Sequence, residues 1–297
     1  MGRPSIRDAN KIYLTTLLLV LLSTPIIQRF DFYRSVLLAE GLLLLPTVIY
    51  AYGARLNLRE FLRLEWPGWK LLVLSSIAAV FCYVIATCIT ASTRMLFAQL
   101  GNAPPMLLPP IDSPRQLGMT ILIGGLLASI AEEIFFRGYL LRAYEGLGSL
   151  RAVILVGFLF GIFHLSLHSL ISTAFLGIIM GYLVFRTDSV LAGIAAHFTN
   201  NLLAFLVVYF SGTAAANTQP GPFDILPLGL LAFISLFFLS RILGNVERRT
   251  LPLEIIPRSH RSRGDLLLLV ESWPLILSFL IFVTLAYGEV LLVFRRP

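Results

Sequence analysis

The sequence predicts an all-α fold, a polytopic transmembrane helical bundle of about eight or nine spans. Three observations predict it. Of the 297 residues, 57% are hydrophobic and 13% charged, against about 25% charged in an ordinary soluble domain. The mean hydropathy is +0.85. Several stretches approach the ~20 continuous apolar residues needed to cross hydrocarbon. These stretches show no period-two alternation, so helices are expected and a β-barrel is not.

The spans are expected at 12–27, 36–52, 71–91, 117–136, 152–169, 170–185, 190–210, 225–243 and 272–294. Arg3, Arg7 and Lys11 precede the first apolar run in the manner of a signal peptide. The run ends in Thr24-Pro25-Ile26-Ile27 and Arg29 with no small-x-small cleavage site, so it is read as an uncleaved first span. The fifth and sixth runs are short and could form a broken hairpin. Glu271 and Pro274 interrupt the ninth, which makes eight spans plus a surface segment the alternative. The longest irregular segments are 92–116, with prolines at 104–105 and 109–110, and the basic 244–264. The chain divides into N-terminal helices (1–116), a central core (117–210) and C-terminal helices with a basic loop (211–297).

The net charge of +7 and pI of about 9.7 are read as basic loops that set topology and meet anionic headgroups. No nucleic-acid partner is expected. With the N-terminus in the cytoplasm, 17 of the 23 lysines and arginines fall inside, Arg137 among them. Only Arg29, Arg34, Arg94, Arg115, Arg295 and Arg296 fall outside. The expected location is the cell membrane, with several passes. Cys82 and Cys88 lie six apart in one run and point about 120° away from each other on a helix, so no disulfide is expected.

Ionisable groups inside a membrane are costly and usually functional. Glu132 and Glu133 are expected near the cytoplasmic end of the fourth span, His164 in mid-fifth span and His197 early in the seventh. At 1.5 Å per residue their depths are about 6, 18 and 10 Å, so three helices bring carboxylate and imidazole into the cytoplasmic half of the bilayer. Glu133 and Arg137 are i, i+4 and share a face on which they can pair. Glu132 is rotated about 100° from that face. His197 and Asn201 are again i, i+4. Phe160 lies one turn from His164 and can pack beside its ring.

Glu132-Glu133-x-x-x-Arg137, Phe160-x-x-x-His164 and His197-x-x-x-Asn201 stand in this order on successive spans. Together they resemble the three motifs of the CPBP group, the CAAX proteases and bacteriocin-processing enzymes that include the type II CAAX prenyl endopeptidase. The flanks Phe136-Arg137-Gly138-Tyr139-Leu140 and Arg186-Thr187-Asp188-Ser189 are similar too, and the resemblance covers about 117–205. Glu40 followed by Pro46 is a weaker echo.

The resemblance implies an intramembrane endopeptidase with a water-accessible cavity open to the cytoplasm. Its substrate would be a membrane-associated or lipidated peptide or protein. Glu132 would activate the attacking water with help from His164, while His197 and Asn201 would stabilise the oxyanion. Glu133, Arg137 and Phe160 would support the site. No cofactor is required on this reading. The alternative is a metalloprotease with zinc held by Glu132, His164 and His197, although the HExxH helix of zinc proteases is absent. Two other functions compete: a catalytically silent scaffold or bacteriocin-immunity protein, and a transporter in which the same groups relay protons. Transporters often carry inverted repeats, and no repeat is visible.

Some polar residues have plainer readings. Glu133–Arg137 is expected as a structural ion pair, and Asn200 as a packing residue. His168 is read as a helix-end residue and His260 as solvated. Glu40 and Glu289 are expected to make structural polar contacts between helices.

Overall fold

In a computed structural model, residues 4–101, 111–212, 218, 221–250 and 272–294 are described. Expectations for Arg3, the prolines at 104–105 and 109–110, the 251–264 part of the basic loop, His260, Glu271 and the two C-terminal arginines lie outside them. The described residues are helical, with no strand among them: α1 (Ile6–Ile27), α2 (Phe32–Gly53), the single turn α3 (Leu58–Phe61) and α4 (Trp69–Leu100). A 34-residue rod follows, α5 (Pro114–Leu147). The remainder are α6 (Ser149–Phe163), α7 (Leu170–Thr187), α8 (Val190–Ser211), α9 (Pro222–Arg249) and α10 (Trp273–Phe294). Eight of these helices are long and apolar enough to cross a membrane, and the protein is a multi-pass helical membrane bundle.

Local chemistry sets the helix starts. The Ser5, Asp31 and Ser113 side chains accept the N–H groups of Asp8, Arg34 and Gln116, satisfying donors that a helix cannot satisfy itself. Pro114 then occupies the first turn of α5, where its missing N–H costs nothing.

The long helices alternate in direction. The start of α1, the 54–68 connection and the 148 and 188–189 turns lie on one face of the bundle, here the first face. Arg63 ties them together. It is buried and left-handed at φ 56°, and it pairs with Glu145 and, at 2.7 Å, with Asp188. The Val190 N–H donates to the Arg63 carbonyl at 3.0 Å, and the Ser189 hydroxyl donates to the Glu65 carbonyl at 2.5 Å. The first residues of α8 are thereby fixed.

Two apolar cores lie within the bundle. One gathers α1, α2, α5 and α6 around Phe135, Phe136, Tyr139, Leu140 and Leu141, all without exposed surface. The other joins α4, α7, α8 and α9 through Ala78, Met180, Leu183, Ala196 and Leu239. α6 and α7 meet backbone to backbone. A Cβ added at Gly177 would stand 2.9 Å from the Gly157 Cα, so small residues here permit close approach, as at other membrane helix interfaces.

Two expectations are corrected. The fourth span does not stop at 136: it continues to Leu147, because Arg137 is buried among aromatic rings and neutralised within its own helix. Arg137 therefore does not belong to a basic loop. Glu132 accordingly sits near the middle of α5. The fifth span is shorter than 152–169: α6 has 15 residues, about 22 Å, and ends at Phe163. His164 caps that end instead of lying mid-span, and Leu165 turns the chain with a left-handed φ of 52°. The last span expected, 272–294, is present: residues 273–294 form a continuous helix despite Pro274, which lies in its first turn. The short member of the bundle is α6.

Candidate active site

The middle of α5 is not regular α-helix. Two π-helical segments, Ile121–Leu127 and Ile134–Leu140, bracket the α-helical Ala128–Glu133. π-turns widen a helix, shift the direction of the side chains that follow, and are frequent at functional sites. Glu132 and Glu133 fall between these two segments.

Glu133 points inward and has no exposed surface. Its Oε1 accepts the Arg137 Nη1–H at 2.6 Å and lies 3.0 Å from His197 Nδ1. Arg137 is equally buried; its Nη2 donates to the Gly177 carbonyl at 3.1 Å, and its guanidinium stacks 4.5 Å from the Phe160 ring centre. Every charge in this knot therefore has a partner, which burial at this depth requires. Gly193, one turn before His197, makes room for it: a Cβ there would stand 2.5 Å from Glu133 Oε2.

Glu132 is different. Its side chain keeps 17% of its surface, and its Oε2 lies 3.8 Å from His197 Nε2. That oxygen is buried without a hydrogen-bond partner among the described residues. His197 thus stands between the two carboxylates. An ionised carboxylate only accepts, so its Nδ1 carries the proton donated to Glu133, and its Nε2 faces Glu132.

His164 is exposed, and its Nδ1 donates to the Phe160 carbonyl at 2.8 Å. The Phe160 ring is edge-on to both imidazoles, 4.7 Å from His164 and 5.8 Å from His197. Asn201 lies one turn beyond His197, with its Nδ2 at 3.4 Å from both the Gly124 carbonyl and the Ser129 hydroxyl. The structure thus joins Glu132, Glu133, Arg137 and His197 directly and places Phe160 against both histidines. Asn201 sits against α5 one turn before the glutamates. The Asn200 amide donates to the Asn201 side-chain oxygen at 3.4 Å.

Two contributors were less visible in sequence. Ser129 is buried at i−3 from Glu132 and beside Asn201; that spacing was its only signal. Glu40, from α2, lies within electrostatic range of Glu132, and its Oε2 is also buried without a hydrogen-bond partner among the described residues.

As a zinc site the residues do not fit. Among the described residues no group of three or more His, Cys, Asp and Glu side chains is arranged to hold a metal ion, and the Phe160 ring packs against both imidazoles. The metalloprotease reading thus finds no ligand set.

A helical membrane bundle with carboxylate and imidazole gathered between its helices narrows the class, and the family match narrows it further. Residues 114–203 match the family model described as type II CAAX prenyl endopeptidase Rce1-like. Over this core the chain is similar to that family of membrane proteases. The match starts at the first residue of α5 and ends within α8, so it contains every member of the cluster except Glu40. No curated protein and no solved structure matches the chain.

Proposed function

We propose that the protein is an intramembrane endopeptidase that hydrolyses a peptide bond of a membrane-associated or lipidated substrate, with Glu132 as general base. The observation that carries this reading is the contrast between adjacent carboxylates. Glu133 has no exposed surface and its Oε1 is held on its own helix by Arg137, whereas Glu132 has no arginine partner, keeps some exposed surface and presents Oε2 beside His197 Nε2.

In the proposed reaction a water bound between Glu132 and His164 gives its proton to the Glu132 carboxylate. The resulting hydroxide attacks the scissile carbonyl carbon. The carbonyl π pair moves to oxygen, and the oxyanion takes a hydrogen bond from the Asn201 amide. A protonated His197 adds a second donor through Nε2, held in that orientation by Glu133. Collapse breaks the C–N bond, and the leaving amine takes the proton back from Glu132. General base catalysis is worth about 10²–10⁴-fold. No step needs a metal. The cell membrane is the proposed location, with the N-terminus and the first face in the cytoplasm. A single cysteine at position 248 then reacts only with reagent on the cytoplasmic side; labelling from outside intact cells would reverse the topology.

The test is cleavage of lipidated and plain membrane peptides by the purified protein in liposomes made in H₂¹⁸O. One ¹⁸O is expected in the new carboxyl group, with turnover unchanged by chelator. A silent scaffold yields no product, and turnover that needs one bound zinc per chain would replace the proposed mechanism.

A further inference from the structure

The 164–169 turn presents a physical problem. α6 is about 22 Å long, shorter than the ~30 Å hydrocarbon core, so the turn after it lies at membrane depth. Irregular backbone is tolerated there only where protein satisfies its polar groups. The turn begins with His164 and runs through Leu165, whose left-handed φ of 52° is unusual for a residue with a branched side chain. Such a conformation persists only when its surroundings impose it.

The restraint comes from α10. The half-buried Glu289 carboxylate accepts the Leu167 N–H at 2.7 Å and the His168 N–H at 3.3 Å, and its Oε1 lies 2.6 Å from His168 Nδ1. His168 Nδ1 is also 2.9 Å from the Ser166 hydroxyl. These N–H groups lie just ahead of the α7 N-terminus, where a negative charge is favoured by the helix dipole. Glu289 is outside the 114–203 family match, and the proposed mechanism makes no use of it.

We propose that Glu289 is a positioning residue for the His164 imidazole: from α10 it clamps the turn that follows His164 and thereby holds the ring in the site. The link is short. His164 is three residues before Leu167, and its Nδ1–H reaches Phe160 only if the last turn of α6 stays wound. That hydrogen bond fixes the ring with Nδ1 protonated and Nε2 bare, turned to the water. Releasing the clamp lets the turn unwind and the ring exchange between its two tautomers. The kinetic consequence rests on the protease reading; the structural one does not.

The experiment uses the full chain in lipid, with ¹⁵N-labelled histidine rings observed at a pH where they are neutral. In the unaltered protein His164 is expected as the Nδ1–H tautomer. In Glu289→Ala its ring signals should move to a tautomer mixture while those of His197 stay in place. In the peptide assay kcat should fall about a hundredfold, the scale of a misplacement near 1 Å, with KM changed less than about twofold. Glu289→Gln keeps an acceptor and should shift both readouts in the same direction by less. Tyr287→Phe, at an exposed position on the same helix, should change neither. If Glu289→Ala does not fold, Glu289→Gln decides. An unmoved His164 signal in a folded variant overturns the clamp. A protein that cleaves nothing but shows the tautomer change keeps the clamp and loses the protease reading. A protein that cleaves, with both Glu289 variants at full kcat, loses the clamp alone.

Discussion

Two buried ionic clusters in this bundle look alike in composition and differ in balance. On the first face, Arg63 and Arg142 meet Glu145 and Asp188, two cations against two carboxylates, with Asp188 largely exposed. In the interior, Arg137 and the titratable His197 face Glu132 and Glu133, with Glu40 close behind. The first cluster is closed: it ties the α3 connection to the turns beside α5 and α8. The second holds more carboxylate than its fixed cation matches: Glu40, Glu132 and Glu133 each carry one oxygen without a hydrogen-bond partner among the described residues, and Glu133 alone of the three has its other oxygen held by Arg137. In the proposed mechanism the balanced cluster is architecture and the surplus carboxylate of the interior is the base.

Breaking each cluster at its most buried arginine sharpens that distinction. Arg137→Met strands Glu133 with no exposed surface and should cost about 3–5 kcal/mol, read as lost folded protein or a lower unfolding midpoint in detergent. Asn201→Ala leaves both clusters paired. It should lower kcat by about 10²–10³-fold, the value of one oxyanion donor, with folding unchanged. Arg63→Met frees Asp188 into water and leaves Glu145 only the more distant Arg142, at 3.9 Å, so about 1.5–3 kcal/mol of stability should go. In whatever protein remains folded, turnover per molecule should be near normal. If Arg63→Met abolished turnover in well-folded protein, the line drawn between the clusters would be misplaced.

Much of this was legible in the sequence, because a bilayer punishes exceptions. Apolar runs had to be spans, and charges among them had to be paired or used. The i, i+4 spacing of Glu133 and Arg137 anticipated their contact, and the position of Glu132 off that face left its oxygen free. What escaped the reading has physical causes. Arg137 resembles a loop residue in sequence because its neutralisation is internal to α5, so the expected helix end at 136 falls eleven residues short of Leu147. α6 ends at Phe163 and the chain turns at Leu165, without the glycine that usually announces a left-handed residue. The π-helical segments of α5 leave no mark in apolar spacing. Glu289 meets its partners from 121 and 122 positions away, a contact that only the folded bundle makes.

The central claim is that Glu132, alone of the adjacent pair, is the base. Its most direct test is the cleavage rate of purified Glu132→Gln beside unaltered protein in the same liposomes, with a folding readout for each. Gln keeps the shape and the hydrogen bonding but cannot take a proton from water. The account predicts a fall of at least about 10²–10⁴-fold with normal insertion and folding. A well-folded Glu132→Gln protein that cleaves at the full rate would contradict it.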